Sequence, residues 1–220
     1  MRTRVNKHGT QDERRAESTA KLLDATIALI GEHGPLGFSL EQVGDRAKVS
    51  RSLARHHFGS RDALLKAAVE RAVAHAAPTG HDELGLPGLL EWMRHEVGKG
   101  ESGDPARRCL LTLKVAPCPA DLDGLVAQHT EAQVVHARRH LERARGLRQV
   151  RSDIVAKVTA SLLIAQLQGE LLRLAAGGVA MSAAFIDLMR QALIPLPRAG
   201  SQSAAPPKEP PSKPKQPDLF

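Results

Sequence analysis

Apolar residues recur along this chain with the spacing of α-helices. Ala20, Leu23, Ile27 and Ile30, for example, repeat every three or four positions and would lie on one face of a helix. No segment alternates apolar and polar residues with enrichment in β-branched side chains, which is the pattern of a half-buried strand. The sequence therefore predicts an all-α protein.

Capping residues and helix breakers divide this pattern into segments. Thr10, Ser39, Ser50 and Ser60 stand where a hydroxyl can accept a hydrogen bond from a free backbone N–H at the start of a helix. Gly and Pro clusters separate the segments. The predicted helices are 10–31, 39–47, 51–57, 60–75, 86–97, 105–115, 121–145, 152–176 and 182–194.

Composition narrows the class of protein. Of the 220 residues, 42% are hydrophobic, which is enough to bury a core. No run approaches the ~18 consecutive apolar residues of a membrane-spanning helix, and residues 1–17 lack the apolar stretch of a secretory signal. We therefore expect a cytoplasmic protein with no membrane partner. Residues 195–220 hold 8 of the 14 prolines, so we expect a disordered tail, with a polyproline ligand as the alternative.

The basic residues are concentrated in one segment. The chain has a net charge of +7, and residues 46–61 contain no acidic residue. Such a cluster suggests a face that meets a polyanion, although a solvated charged face would give the same pattern. The chain has 4 Phe, 1 Trp and no Tyr, too few rings for the stacking surface of a single-strand binder. The clustered cations are Arg46, Lys48, Arg51, Arg55 and Arg61.

The two short helices at 39–47 and 51–57 are joined by a tight turn at Lys48-Val49, which is the pattern of a helix-turn-helix. An αα-hairpin with a basic outer face is the alternative. The residues expected to face inward are Leu40, Val43, Gly44, Ala47, Val49, Leu53 and Phe58. Those expected to face outward, toward a major groove, are Arg51, Ser52, Arg55 and His56.

A longer series of motifs runs through residues 14–70. It consists of Leu22-Leu23-Asp24-Ala25, His33-Gly34, Ser39-Leu40-Glu41-Gln42-Val43, Ala47-Lys48-Val49-Ser50 and His57-Phe58-Gly59-Ser60-Arg61-Asp62-Ala63-Leu64-Leu65. In their order and spacing these motifs resemble the N-terminal domain of TetR-family transcriptional regulators. The resemblance implies an all-α homodimer that binds a double-stranded DNA operator, with no catalytic activity and no cofactor.

The resemblance also implies how the chain is divided. A flexible basic arm at 1–13 would precede a three-helix helix-turn-helix DNA-binding domain, with its linker helix, at 14–75. An effector-binding and dimerisation domain would occupy 76–194, followed by the tail at 195–220.

Within the DNA-binding domain, the resemblance assigns roles to residues. Residues 50–57 would be the recognition helix, and Ser39, Ser50 and Arg61 match positions that hold phosphates. The basic arm would reach the minor groove. The predicted DNA-binding residues are Ser39, Lys48, Ser50, Arg51, Ser52, Arg55, His56 and Arg61.

Three positions depart from the family pattern. Lys48 stands where the family usually has Gly, Arg55 where it usually has an aromatic residue, and Gly44 where it usually has Ala. If the turn requires a positive φ at Lys48, this residue costs about 1 kcal/mol there. Arg55 replaces a packing contact by a cation, which alters base preference.

The segment 152–176 is apolar on two faces. A helix of this kind must be buried against its own domain and against a partner, an internal core helix being the alternative. One stripe comprises Ala156, Ala160, Leu163, Leu167, Leu171 and Leu174, widened by Ile154, Val158, Leu162, Ile164 and Ala165. The resemblance implies that this helix and the one at 182–194 form the homodimer interface, with Gln168-Gly169 as its close-packing point.

The expected effector is a small molecule in a cavity among the helices of 76–194, which would make the protein a ligand-responsive repressor. Trp92 and Phe185 are the aromatic residues of this half, so we expect an aliphatic lining. A thiol sensor is the first alternative. It would use Cys109, close in the chain to Cys118, because neighbouring cations can lower a thiol pKa; these are Arg107, Arg108 and Lys114.

A metal sensor is the second alternative. His129, His136 and His140 fall on one side of the helix at 121–145, and the last two have the i, i+4 spacing that can hold one metal ion. A solvated polar face gives the same pattern. A helical metal-dependent enzyme is a distant alternative, because no Glu-x-x-His pair on a facing helix accompanies these histidines.

Overall fold

The computed structural model describes residues 11–79, 85–179 and 182–194. Within these ranges the chain forms α-helices and no strand, which confirms the predicted all-α class. The helices are α1 (Gln11–His33), α2 (Leu40–Ala47), α3 (Arg51–Phe58), α4 (Arg61–His75), α5 (Leu86–Glu101), α6 (Pro105–Val115), α7 (Ala120–Gly146), α8 (Ala156–Ala175) and α9 (Ser182–Leu193). None of them is long and apolar enough to cross a lipid bilayer.

The predictions for the two ends of the chain fall mostly outside this description. The Thr10 cap, most of the basic arm and the tail at 195–220 lie outside the described residues. Gln11–Glu13 form the first turn of α1, in agreement with the helix predicted from residue 10, and the arm boundary at residue 13 stays a prediction. Asp12 and Glu13 stabilise that turn, because carboxylates are favourable near the positive end of the helix dipole.

α5 is longer than the sequence predicts. It continues to Glu101 through Gly98 and Gly100, where glycines indicated a break. A Cβ added at Gly100 would overlap Leu171 Cδ2 of α8. The helix is maintained there because packing against α8 outweighs the low helix propensity of glycine.

α8 begins later than predicted, at Ala156 instead of residue 152. The backbone N–H of Arg151 donates to the carbonyl oxygen of Leu193 at 3.0 Å, which ties the α7–α8 connection to the end of α9. Val155 is extended, with φ of −89° and ψ of 100°. The connection therefore runs beside α9 before the helix can start.

We call α1–α4 the head and α5–α9 the body. The head has a hydrophobic core that includes Leu22, Ile30 and Leu64, and Cys109 and Leu113 of α6 belong to the same core. A second core lies entirely within the body and includes buried faces of α5, α7 and α8. The boundary predicted between residues 75 and 76 stays a prediction, and the first core crosses it.

α6 lies against α1 at close range. A Cβ at Gly31 would stand 3.2 Å from Arg108 Cγ and 3.3 Å from the backbone nitrogen of Cys109. The Thr112 hydroxyl donates to the Gly31 carbonyl oxygen at 3.2 Å. The absence of a side chain at Gly31 therefore allows the body to pack directly against the first helix of the head.

Candidate nucleic-acid interface and effector cavity

α2 has the capping residues that the sequence predicts. The Gln42 backbone N–H donates to Ser39 Oγ at 3.3 Å, and the Ser39 N–H donates to Gln42 Oε1 at 2.7 Å, which completes a capping box. α2 ends at Lys48, which has φ of 56° and ψ of 41°. Lys48 therefore has the positive φ under which its side chain costs about 1 kcal/mol in this turn. The Val49 N–H donates to the Gly44 carbonyl oxygen at 2.9 Å and closes the turn.

Small and apolar residues hold α3 against α2. Val43 and Ala47 are buried on α2, and Ala54 is buried on α3. Leu53 and Phe58 of α3, both expected to face inward, are half-buried, and Ala54 is the more deeply buried residue. The i, i+4 spacing of Ala54 and Phe58 was the signal that could have identified it.

The opposite face of α3 is open to solvent. Ser52, Arg55 and His56 are exposed, as predicted, and the Arg51 side chain lies outside the described part of the structure. Ser39, Lys48 and Ser50 are exposed at the edges of this face. We call the exposed residues Ser39, Lys48, Ser50, Ser52, Arg55 and His56 the outer face.

Ser50 does not act as the predicted side-chain cap. It occupies the N-cap position of α3 with extended backbone angles, but its hydroxyl makes no capping hydrogen bond. Its Oγ lies 3.0 Å from Ser52 Oγ instead. Free backbone N–H groups at a helix start favour a negatively charged group, so this end of α3 is suited to a phosphate.

Two of the clustered cations are engaged within the head. Arg46 makes a bidentate pair with Glu32 of α1, at 2.5 and 2.7 Å, so it is not unopposed as the charge pattern suggested. Arg61 is half-buried, and its Nη2 donates to the carbonyl oxygens of Pro35 and Phe38 at 2.6 and 3.3 Å. Arg61 therefore holds the loop that leads into α2, and its predicted phosphate contact stays a prediction.

His57 connects α3 to α1. Its two ring nitrogens each lie 3.2 Å from a hydroxyl oxygen, Nε2 from Ser18 and Nδ1 from Thr19. Burial, with smaller effects of the charges of Arg15 and His56, lowers the pKa of His57. The ring is therefore neutral at pH 7. Its contacts with Ser18 and Thr19 hold α3 against α1.

The body contains a narrow cavity among α5, α6, α7 and α8. Its volume is about 20 Å³. Its lining combines leucines with six polar or charged residues, so the predicted aliphatic lining is only partly correct. The polar residues are Glu96, Arg107, Lys114, His129, Gln133 and Gln168, and the leucines are Leu110, Leu111 and Leu171.

A buried ion pair forms one end of this cavity. Arg107 donates from Nε and Nη2 to the two oxygens of Glu96, at 3.0 and 2.6 Å. Asp104 lies 3.7 Å from Arg107 Nη1 and 3.1 Å from His75 Nε2 of α4. Sequence analysis missed Glu96, although a charged residue between the apolar positions Met93 and Val97 was the available signal.

Lys114 and His129 also line the cavity. Lys114 Nζ donates to the Thr130 hydroxyl at 2.5 Å, and burial lowers the pKa of Lys114 to about 8. Burial, followed by the charges of Lys114 and Arg107, lowers the pKa of His129 to about 4. His129 is therefore neutral at pH 7, while Lys114 still carries a proton in most molecules.

The histidines of α7 are not on a solvated face. His129 and His140 are buried, and His136 is half-buried. The His136 ring centroid lies 4.9 Å from that of Trp92 and 4.7 Å from that of His140, and these rings pack against one another in tilted pairs. Among the described residues, no group of three or more His, Cys, Asp or Glu side chains could hold a metal ion.

The two cysteines do not have the lowered pKa values that a thiol sensor needs. Cys109 is fully buried, and burial raises its pKa to about 12. Burial also raises the pKa of Cys118 to about 11, with a smaller effect of Asp123. The thiol-sensor alternative therefore gains no support from Cys109, because burial disfavours its thiolate.

α8 and α9 each expose apolar residues to solvent. Val158 and Leu162 of α8 are 56% and 61% exposed, and Leu188 of α9 is 59% exposed. A Cβ at Gly169 of α8 would meet nothing within 4 Å. The inward stripe through Ala160, by contrast, is buried as predicted from Ala156 to Leu171, and Leu174 at its end is half-buried. We call Val155, Val158, Leu162, Ala165, Gly169 and Leu188 the α8–α9 face.

Known proteins resemble the head in sequence, and solved structures resemble the fold of the whole described chain. Residues 22–68 match the family model described as bacterial regulatory proteins, tetR family. The HTH-type transcriptional regulator BetI of Burkholderia thailandensis is 37% identical over 67 residues, which cover 30% of this chain and 32% of BetI. BetI of Burkholderia cenocepacia gives the same values. The chain thus spans about a third of the length of these curated relatives.

Solved structures resemble the chain over both head and body. A TetR-family transcriptional regulator from Agrobacterium tumefaciens has a TM-score of 0.67 at 18% identity, covering 82% of this chain and 100% of that one. TylP, a TetR regulator from Streptomyces fradiae, has a TM-score of 0.64 at 20% identity, covering 82% and 88%. The likeness extends the shared fold well beyond the residues that the family model matches.

Proposed function

Since the chain belongs, by its N-terminal domain, to the TetR family of bacterial regulatory proteins, we propose that it is a sequence-specific DNA-binding transcriptional regulator and acts as a ligand-responsive repressor. The observation that carries this proposal is the outer face. It is exposed and consists of α3 residues and of the residues that cap α2 and α3 around the tight turn at Lys48. Residues 46–61, which contain most of it, have no acidic residue. A duplex major groove can accept a helix of this kind.

The outer face divides into two kinds of contact. Arg55 and His56, with Ser52 beside them, stand on the exposed side of α3 and are the residues we expect to contact base edges, together with Arg51. Ser39, Lys48 and Ser50, which are also exposed, are suited to phosphate oxygens. The family resemblance assigns a phosphate contact to Arg61 as well. Phosphate contacts set the position of the head on the duplex, while base contacts set the sequence.

We propose that the protein works as a homodimer through the α8–α9 face. Exposed leucines and valines, such as those of α8 and α9, are costly in water and favourable in an interface. Two heads related by a two-fold axis would reach successive major grooves, about one helical turn apart. A DNA-binding regulator acts where the chromosome lies, so we propose a cytoplasmic location and no enzymatic activity.

The ligand response would act through α6. This helix carries Arg107 and Lys114 at the cavity, and it contacts the head through Thr112 to Gly31 and through Asp104 to His75. A ligand that favours one position of α6 would change the spacing of the two heads. If the ligand binds more tightly to the conformation in which the heads are wrongly spaced for DNA, it increases the population of that conformation. DNA affinity would then fall, and the size of the fall would depend on how strongly the ligand prefers that conformation.

A gel-shift titration with the DNA that flanks the protein's own gene tests DNA binding. We expect a specific complex whose affinity falls steeply with added salt, because cations at the interface replace counterions on the phosphates. An unrelated duplex of the same length is the control. If both duplexes bind equally, or neither binds at any salt concentration, the regulator proposal is wrong.

Sedimentation of the Leu162→Glu variant tests the dimer. A charge in the centre of the α8–α9 face should shift the protein to monomer, because the carboxylate would be buried without a partner. Leu147→Glu places the same charge at another exposed leucine of the body and should leave the dimer intact. A dimeric Leu162→Glu protein would place the interface elsewhere.

A further inference from the structure

The chemistry of the body cavity indicates which class of molecule it accepts. The cavity is lined by residues of α5, α6, α7 and α8, and the charges of its lining do not balance locally. Glu96 and Arg107 neutralise each other at 2.6 Å, and Asp104 adds a second carboxylate on the side of Arg107 that faces α4. The remaining charged residue of the lining is Lys114.

Lys114 has no carboxylate partner within the described residues. Its hydrogen bond goes to Thr130 Oγ1, which in turn donates to the Val126 carbonyl oxygen at 3.1 Å. A hydroxyl can orient an ammonium group but cannot neutralise it. A partly buried cation favours any anion that reaches it, and burial lowers the pKa of Lys114 to about 8.

His129 supplies a second unsatisfied group at the same place. Its side chain is 6% exposed, and Nδ1 is buried with no hydrogen-bond partner in the described parts of the chain. A neutral imidazole with a proton on Nδ1 can donate one hydrogen bond. Gln133, on the next turn of α7, brings an amide group to the same wall. An oxygen atom of a bound ligand would satisfy the imidazole that the protein leaves unpaired.

The other wall is apolar, and the space is small. Leu110, Leu111 and Leu171 complete the lining. A cavity of about 20 Å³ holds about one water molecule, so any organic ligand must displace α6 or its neighbours to enter. Entry of a ligand would therefore be coupled to movement of the helix that contacts the head.

We propose that this cavity is the effector site and that it binds the carboxylate of a small aliphatic monoanion, with Lys114 as the counter-ion, His129 as a neutral hydrogen-bond donor and the leucines against the alkyl part. This inference rests on the proposed regulator function and specifies its ligand class. A second carboxylate on the ligand would meet Glu96, so a monoanion fits better than a dianion. An amine would meet Lys114 and is excluded by like charge.

Calorimetric titration of the full-length, DNA-free protein with three probes of equal chain length tests the ligand class. The probes are hexanoate, hexanol and hexylamine, with sodium chloride and acetate as controls for a simple anion effect. We expect hexanoate to bind about 10-fold or more tighter than hexanol, since a charge-assisted contact contributes that much, and hexylamine not to bind. If chloride or acetate competes as well as hexanoate, or hexanol binds equally, the inference is wrong.

The variant Lys114→Met tests the counter-ion directly. It keeps the length and removes the charge, so hexanoate affinity should fall about 10-fold or more, to that of hexanol. Lys99→Met changes another lysine of the body, outside the cavity lining, and should leave hexanoate binding unchanged. Equal losses in both variants, or none in Lys114→Met, would overturn the assignment.

These outcomes are distinguishable from failure of the proposed function. Ligand binding is measured without DNA, and the comparison of probes on the wild-type protein does not depend on any variant folding correctly. An operator complex in the gel shift combined with no preference for hexanoate refutes only the ligand class. Preferential hexanoate binding without any specific DNA complex refutes the regulator proposal instead.

Discussion

The head and the body each contain a bidentate arginine–glutamate pair, and the two pairs lie in different surroundings. In the head, Arg46 and Glu32 have side chains that are 40% and 33% exposed. In the body, Arg107 and Glu96 are 7% and 4% exposed. The distances are similar, but water screens the first pair and is almost excluded from the second.

The same contrast extends to the other polar side chains. Among the described residues, Thr26 is the buried polar side chain of the head, whereas the body has five. The head keeps its charges on the surface, where they can attract a polyanion over a distance. The body places its charges inside, where each one needs a partner and can distinguish one ligand from another. The five are Glu96, Arg107, His129, Gln133 and His140.

The largest effect should come from breaking the buried pair. Glu96→Gln leaves the Arg107 guanidinium buried with only the more distant Asp104, so unfolding free energy should fall by about 3 kcal/mol. Urea unfolding measures this change. The double variant Glu96→Met/Arg107→Met removes both charges and should recover most of the loss. A loss below about 1 kcal/mol in Glu96→Gln would mean that water reaches this pair.

Removing an outer-face cation should affect DNA binding and leave stability unchanged. Arg55→Ala should weaken operator binding by about 1–3 kcal/mol if the guanidinium contacts a base edge. The gel shift with operator DNA measures it. Arg139→Ala removes an exposed arginine from the body and is the matched control. Equal affinities of the two variants would show that Arg55 does not face the groove.

The turn between α2 and α3 should be stabilised by glycine. Lys48→Gly should raise the unfolding free energy by up to about 1 kcal/mol, because glycine adopts a positive φ without the steric cost of a Cβ. Lys48→Ala removes the charge but keeps the Cβ, so it should give no such gain. Thermal unfolding of both variants separates the backbone effect from the charge effect. Equal shifts would assign the effect to charge.

The smallest effect should come from the exposed pair of the head. Arg46→Gln should lower the unfolding free energy by about 0.5 kcal/mol, and added salt should reduce even that difference. The measurement is urea unfolding at low and high salt. A loss as large as that of Glu96→Gln would mean that exposure does not explain the contrast between the two pairs.

Much of the fold could be predicted from the sequence because its signals are local. The caps at Ser39 and Ser60, the positive φ at Lys48 and the exposed side of α3 depend on residues within one or two helical turns. The buried stripe of α8 also follows from spacing alone. Such features are determined by neighbours in sequence, which a pattern can reveal.

The features that could not be predicted depend on distant residues. Arg46 pairs with a glutamate 14 residues earlier, and Gly100 stays helical because of Leu171. The exposure of a histidine at a given helical position depends on which helix packs beside it. The spacing of His129 was therefore compatible with a solvated face or a metal site, and the packing of α7 places it against the cavity instead.

The hydrophobic core that the head shares with α6 determines how the protein unfolds. Cys109 and Leu113 of α6 complete the apolar interior of the head, together with Leu22 and Leu64. Separating head from body would expose all of these surfaces to water at once, so the two should melt in a single cooperative transition. A protease cut between α4 and α5 would then yield two fragments that stay associated. Neither fragment would behave as an independent folding unit.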